Sequence, residues 1–215
     1  MSDLGGRVVA AIPAIAFAIF IVVQGGWWFA AGAMALGLIC LHELYLMLAS
    51  VRPARLAGFL GLIGMGVAAM TGGPEAVLLA LAATVAVTFL LTIAGPSAAG
   101  GVFGMAAVLL GVVWIGTAIA HAIMLRDLDH GGGILAAVLV GTFAGDTGAY
   151  FGGKALGRTP LAPRISPNKT VEGLLFGIFT AVLAVWVVNW YQDWIDTPQA
   201  LILGAAVAIV APIGD

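Results

Sequence analysis

The chain reads as an all-α, polytopic transmembrane helical bundle, and three observations carry that reading. Hydrophobic residues make up 62% of its 215 positions and charged residues only 8%. Eight Lys/Arg and ten Asp/Glu cannot clothe a water-facing globule of this size. The apolar residues fall in continuous runs near the length that crosses a bilayer, about 20 residues, not in the alternation of a β-barrel. Basic residues gather between some of these runs and avoid others. A mean hydropathy of +1.15 excludes disorder. A net charge of −2 supplies no field for a nucleic-acid partner, and one cysteine, Cys40, excludes a disulfide framework or zinc cluster.

Taken in order, the runs lie near 8–23, 27–49, 56–70, 76–93, 102–125, 134–151 and 173–191, with an eighth from about 200 that the terminus cuts off. The first and third are short for a span, which fits a tilted or re-entrant segment. Glycine clusters such as Gly72-Gly73, Gly131 to Gly133 and Gly152-Gly153 mark boundaries, because glycine costs about 1 kcal/mol inside a helix. The first run follows Arg7 but lacks a small-residue cleavage site, so it reads as an uncleaved helix and not as a signal peptide. We take residues 1–215 as a single integral membrane domain. Its N-terminal spans are 1–133, and 134–215 holds the spans and the cytoplasmic loop that carries the site.

Orientation follows from the cations. With the N-terminus in the cytoplasm, Arg7, Arg52, Arg55, Lys154, Arg158, Arg164 and Lys169 all fall inside, and only Arg126 falls outside. That asymmetry is the positive-inside pattern. A bacterial inner membrane is the expected location, since no mitochondrial transit peptide is visible.

Orientation gives depth to the acids. Glu43, Asp146 and Asp215 each lie late in a span that runs from outside to inside, at the level of the basic loop. A carboxylate at a helix centre costs about 2.5–3.5 kcal/mol, so it normally serves a purpose and turns inward. Glu43 is near enough to a helix end to reach the interface or pair with Arg52 or Arg55. Asp146 belongs to a stripe, Thr142, Asp146 and Tyr150 at i, i+4 and i+8, and is the better functional candidate; a structural hydrogen bond is its plain alternative. The stripe Thr84, Thr88 and Thr92, and the spacings Gly141-x3-Gly145 and Gly148-x3-Gly152, are read as packing. His121 and His130 lie toward the outer side, with no third metal ligand evident beyond Asp127 or Asp129.

The longest polar stretch, Gly152 to Glu172, holds Lys154, Arg158, Arg164 and Lys169 with the hydroxyls of Ser166 and Thr170, stiffened by Pro160, Pro163 and Pro167. Cations and hydroxyls suit phosphate oxygens. Asp146 suits Mg²⁺, which takes a few carboxylates together with substrate phosphates and water. Phosphoryl or nucleotidyl transfer to a lipid headgroup is one reading, and a loop that only touches anionic lipid is the other. Gly148 to Lys154 spells G-x4-G-K, but Ala155 stands where a phosphate loop needs Ser or Thr, and no strand precedes it.

Gly145-Asp146-Thr147-Gly148-Ala149-Tyr150-Phe151, then Leu161-Ala162-Pro163-Arg164-Ile165-Ser166-Pro167-Asn168-Lys169-Thr170 and Glu172-Gly173, resemble the phosphatidate cytidylyltransferase, or CDP-diacylglycerol synthase, family. The resemblance spans about thirty residues in two ordered blocks; Val171 stands where the family often has an aromatic residue. It implies transfer of a cytidylyl group from CTP to phosphatidate at the cytoplasmic face, giving CDP-diacylglycerol and pyrophosphate, with Mg²⁺ as cofactor. By the same resemblance Asp146 and Asp215 hold the metal and Lys169 is catalytic. Lys154 and Arg164 neutralise phosphate oxygens, Ser166 and Thr170 orient them, and Glu172 hydrogen-bonds within the loop or caps span seven. A second cation and a homodimer stay open. Gly214-Asp215 resembles the start of a further family block, so these 215 residues are expected to be incomplete and inactive alone. The competing readings are a CTP-dependent polyprenol or lipid kinase, an ion-coupled transporter using Asp146, and a lipid-binding scaffold. The transporter lacks an internal repeat and an acid pair at the midplane.

Overall fold

The computed structural model describes residues 2–94, 100–164 and 166–214, with side chains from Ile12 onward. Nine α-helices and one short hairpin occur among them. They are α1 (Ser2–Gln24), α2 (Gly26–Met47), α3 (Arg55–Thr71), α4 (Gly73–Ala94), α5 (Gly101–Gly111), α6 (Thr117–Asp127), α7 (Gly131–Leu156), α8 (Val171–Asn189) and α9 (Thr197–Gly214). A π-helical segment, Val112–Gly116, joins α5 to α6 in one continuous rod. Six of these rods are long and apolar enough to cross a membrane, and Ile12–Gln24 and Arg55–Thr71 are shorter apolar helices. The eight expected runs therefore all become helices; the third stays short at 17 residues, whereas α1 extends the first run to 23.

The described chain divides into two compact units, Met1–Gly132 and Gly133–Asp215. In the first, Leu41, Tyr45 and Leu62 are fully buried, with Met34, Leu38, Phe59 and Ile115 packed around them. The Tyr45 hydroxyl donates to the Val108 carbonyl at 3.0 Å, so its polar end is satisfied inside that core. Thr84, Thr88 and Thr92 each donate to the carbonyl four residues back at 2.7 Å; they are packing residues, with Thr84 and Thr88 buried. Arg126, the one cation expected outside, donates from Nε to the Val22 carbonyl at 2.8 Å and from Nη2 to Val23 at 3.3 Å. It thus covers free carbonyls at the end of α1, as a cation at a helix C-terminus should.

The second unit is built on close helix approach. A Cβ added at Gly173 would stand 2.8 Å from the Ala149 carbonyl oxygen, and one at Gly177 would stand 3.0 Å from that of Gly145. Only hydrogen fits there, so α7 and α8 meet backbone to backbone. Thr180 adds an interhelical hydrogen bond to the Ala144 carbonyl at 3.0 Å. Gly204 of α9 lies against Val182 of α8 in the same manner, its Cβ position 3.0 Å from the Val182 Cα.

Two features depart from the sequence reading. The glycine pair Gly152-Gly153 does not stop the helix: α7 continues to Leu156. Gly152 is buried against Phe176, and Gly153 lies near Gly173 and Thr170, so contact with α8 overrides the weak helix propensity of glycine. The remaining connection holds an antiparallel hairpin, β1 (Pro160–Ala162) with β2 (Ser166–Thr170), pairing Pro160 with Thr170 and Ala162 with Ser166.

Candidate active site

The polar stripe of α7 and the second strand of the hairpin face one cavity. On α7, Thr142, Asp146 and Tyr150 recur every four residues, and the extension of the helix adds Lys154 to the same line. The Lys154 ammonium lies 5.8 Å from the centre of the Tyr150 ring, within cation–π range. The Thr142 hydroxyl donates to the Val138 carbonyl at 2.9 Å, while the Asp146 side chain is exposed. From β2, Ser166, Asn168 and Thr170 share a face by the two-residue period of a strand, and these three and Lys169 line the cavity. Small residues of α8, Gly173, Gly177 and Ala181, and the apolar Val207, Ala208, Ala211 and Pro212 of α9 complete the wall. The cavity measures about 710 Å³, within the range of small-molecule sites.

The lip of the cavity is held by a compact set of hydrogen bonds. Thr170 is the N-cap of α8: its hydroxyl oxygen accepts from the Gly173 amide at 3.1 Å. The Glu172 carboxylate accepts from the Arg158 and Thr159 amides, both at 3.1 Å, and from the Thr159 hydroxyl at 2.9 Å. The Val171 amide donates to the Thr159 carbonyl at 2.9 Å. The chain entering the hairpin is therefore tied to the first turn of α8.

Asp146, Lys154, Ser166, Lys169 and Thr170, all expected site residues, line this one cavity. Arg164 does not join them: it is exposed at the hairpin turn and is not among the described lining residues. Glu172 is also outside the lining, its carboxylate turned to the hairpin base. Asp215 lies outside the described residues. Glu43 is exposed on α2. Asn168 has no role in the sequence reading; its place between Ser166 and Lys169 in the second block of the family resemblance is the signal that could find it. A second groove of about 780 Å³ lies on another face of α7 and α8, lined by Phe143, Phe151, Leu156 and Phe176. It is larger, but it contains no charged residue.

Whether a divalent ion suits this cavity depends on its donors. Among the described residues no cluster of three or more His, Cys, Asp or Glu is present, and Asp146 is the one carboxylate in the described lining. A closed protein cage does not fit. A hard cation that takes one or two carboxylates, and otherwise water and substrate phosphate, does fit.

Helices long and apolar enough to span a bilayer define the class, an integral membrane protein, and its polar cavity joins one carboxylate to two lysines and a row of hydroxyls. The cytidylyltransferase family model matches residues 5–215, and the chain belongs to that family. It is 31% identical over 201 residues to a phosphatidate cytidylyltransferase of Bacillus subtilis, covering 85% of this chain and 70% of that protein. A phosphatidate cytidylyltransferase of Staphylococcus aureus is 28% identical over 209 residues, covering 92% of this chain and 78% of its own length. The match to one from Haemophilus influenzae is shorter, 35% identical over 95 residues, and spans 33% of that protein.

Proposed function

We propose that this protein transfers a cytidylyl group from CTP to phosphatidate, releasing pyrophosphate and leaving CDP-diacylglycerol in the membrane. The observation that carries the reading is the meeting of Asp146, Lys154, Ser166, Lys169 and Thr170 around one cavity, in a chain of the cytidylyltransferase family. The acceptor phosphate is already anionic at neutral pH, so no general base is required. One of its oxygens forms a bond to the α-phosphorus of CTP as the bond from that phosphorus to the bridging oxygen of pyrophosphate breaks. Such a displacement is accelerated mainly by positioning and charge neutralisation.

Lys154 and Lys169 supply the positive charge that holds two highly charged phosphate groups together. Ser166, Asn168 and Thr170 donate to or accept from phosphate and sugar oxygens along the strand face. Arg164, at the exposed hairpin turn, acts on the incoming anion before it enters. Glu172 holds the hairpin against α8. Asp146, with Asp215 by resemblance, would hold Mg²⁺, which screens the triphosphate and makes pyrophosphate a better leaving group when bound. The apolar α9 wall beside the polar groups suits a substrate with acyl tails. We place the site and the N-terminus on the cytoplasmic side of a bacterial inner membrane, on the distribution of cations.

The test follows the label. Membranes containing the protein are given phosphatidate and CTP labelled at either the α- or the γ-phosphate. Label from the α-position enters lipid and label from the γ-position leaves as pyrophosphate. Lipid labelled only from the γ-position would replace this reading with a CTP-dependent lipid kinase.

A further inference from the structure

The link between α2 and α3 holds an arginine in a backbone conformation that favours glycine. Arg52 has φ 49 and ψ 60, in the left-handed region that costs a residue with a Cβ. The turn is wedged in place. The Arg52 amide donates to the Ala49 carbonyl at 3.1 Å. A Cβ added at Gly100 would stand 2.7 Å from the Arg52 carbonyl oxygen, and one at Gly104 would stand 2.9 Å from that of Val51. Glycine at 52 would take the same turn without strain, so the strain calls for a use of the side chain.

The surroundings indicate what that use is. Arg52 and Arg55 both line a cavity of about 340 Å³, shared with Pro53, Thr92 and Gly100, and no carboxylate is among its described lining. Two arginines bordering one cavity concentrate positive charge there, and guanidinium matches phosphate geometry best. The cavity also lies where α2 and α4, both candidate spans, come to an end; the ends of spanning helices stand at headgroup depth. We propose that this cavity binds a phosphate group, supplied by an anionic phospholipid or by free phosphate.

The full protein, in phosphatidylcholine nanodiscs, is titrated with spin-labelled phosphatidylglycerol and, separately, with inorganic phosphate. The component sought is lost in the variant Arg52→Gly with Arg55→Gln and kept in Lys169→Gln, which separates it from the site proposed above. Loss of that component should weaken binding about tenfold or more, since charged hydrogen bonds are removed. Arg52→Gly alone relieves the left-handed strain while deleting one guanidinium, so it should bind more weakly with an unchanged or raised thermal midpoint. That pairing excludes misfolding as the cause. Loss of the preference for phosphatidylglycerol assigns lipid as the source. Loss confined to the inorganic phosphate isotherm assigns free phosphate. Binding of both probes by the double variant as in the unaltered protein would overturn the proposal.

Discussion

The two units use glycine differently. In Met1–Gly132 most close-packed helical glycines receive side chains: Gly66 receives Met34, Gly111 receives Leu41 and Tyr45, and Gly61 receives Thr84. In Gly133–Asp215 Gly148 and Gly152 also receive side chains, Thr180 and Phe176, but Gly173 and Gly177 come up against main chain, the carbonyls of Ala149 and Gly145. A side chain can turn away or be shortened; a helix backbone cannot. The first arrangement makes a core that tolerates repacking. The second fixes the spacing of α7 and α8, and with it the distance between the Asp146 stripe and the hairpin that α8 carries.

The comparison can be tested from its most sensitive point downward. Asp146→Asn removes the one carboxylate in the described cavity lining. Cytidylyl transfer should fall on the order of 10²–10³-fold, with helical circular dichroism and membrane insertion unchanged. Gly173→Ala forces α7 and α8 apart, at about 1–3 kcal/mol in unfolding measurements, and should lower activity in step. No second-site truncation of a side chain should restore it. Gly66→Ala crowds the Met34 side chain, with Ile123 at ordinary contact; its smaller loss, under about 1.5 kcal/mol, should be recovered by shortening Met34, a coupling visible in a double-mutant cycle. Glu172→Ala should raise the KM for CTP by roughly threefold to tenfold through lost hydrogen bonds at the hairpin base, and speed proteolysis there. At the mild end is Gly64→Ala, where a Cβ meets nothing within 4 Å. It should leave activity alone and change stability by no more than about 1 kcal/mol, in the favourable direction.

Much of this architecture was legible because lipid makes a strong demand on composition. Long apolar runs become helices when no water is present to satisfy the backbone, so eight runs predicted eight rods. The stripe of Thr142, Asp146 and Tyr150 was legible for the same reason, since an acid in such a run stands out. The end of α7 was not legible. Gly152 and Gly153 carry the signature of a stop, and only the partner helix, through Phe176 and Thr170, reverses it. That error left Lys154 in a loop when it lies one turn beyond Tyr150. The hairpin also escaped notice. Pro160–Ala162 and Ser166–Thr170 show no alternation of apolar and polar residues; they are held by strand pairing and by Glu172, neither of which leaves a period in the sequence. The π-helical Val112–Gly116, an unbroken apolar stretch, had no sequence signal at all.

The knot of bonds joining Thr159, Thr170 and Glu172 has a consequence for how a ligand is received. Ordering one residue of backbone costs about 1–2 kcal/mol, and a floppy lip would charge that cost against every encounter. Here the loss of freedom occurs once, during folding, so more of the attraction between ligand and cavity survives as affinity. On the proposed function, a strand face already tied to α8 takes its anionic substrate with less ordering left to do.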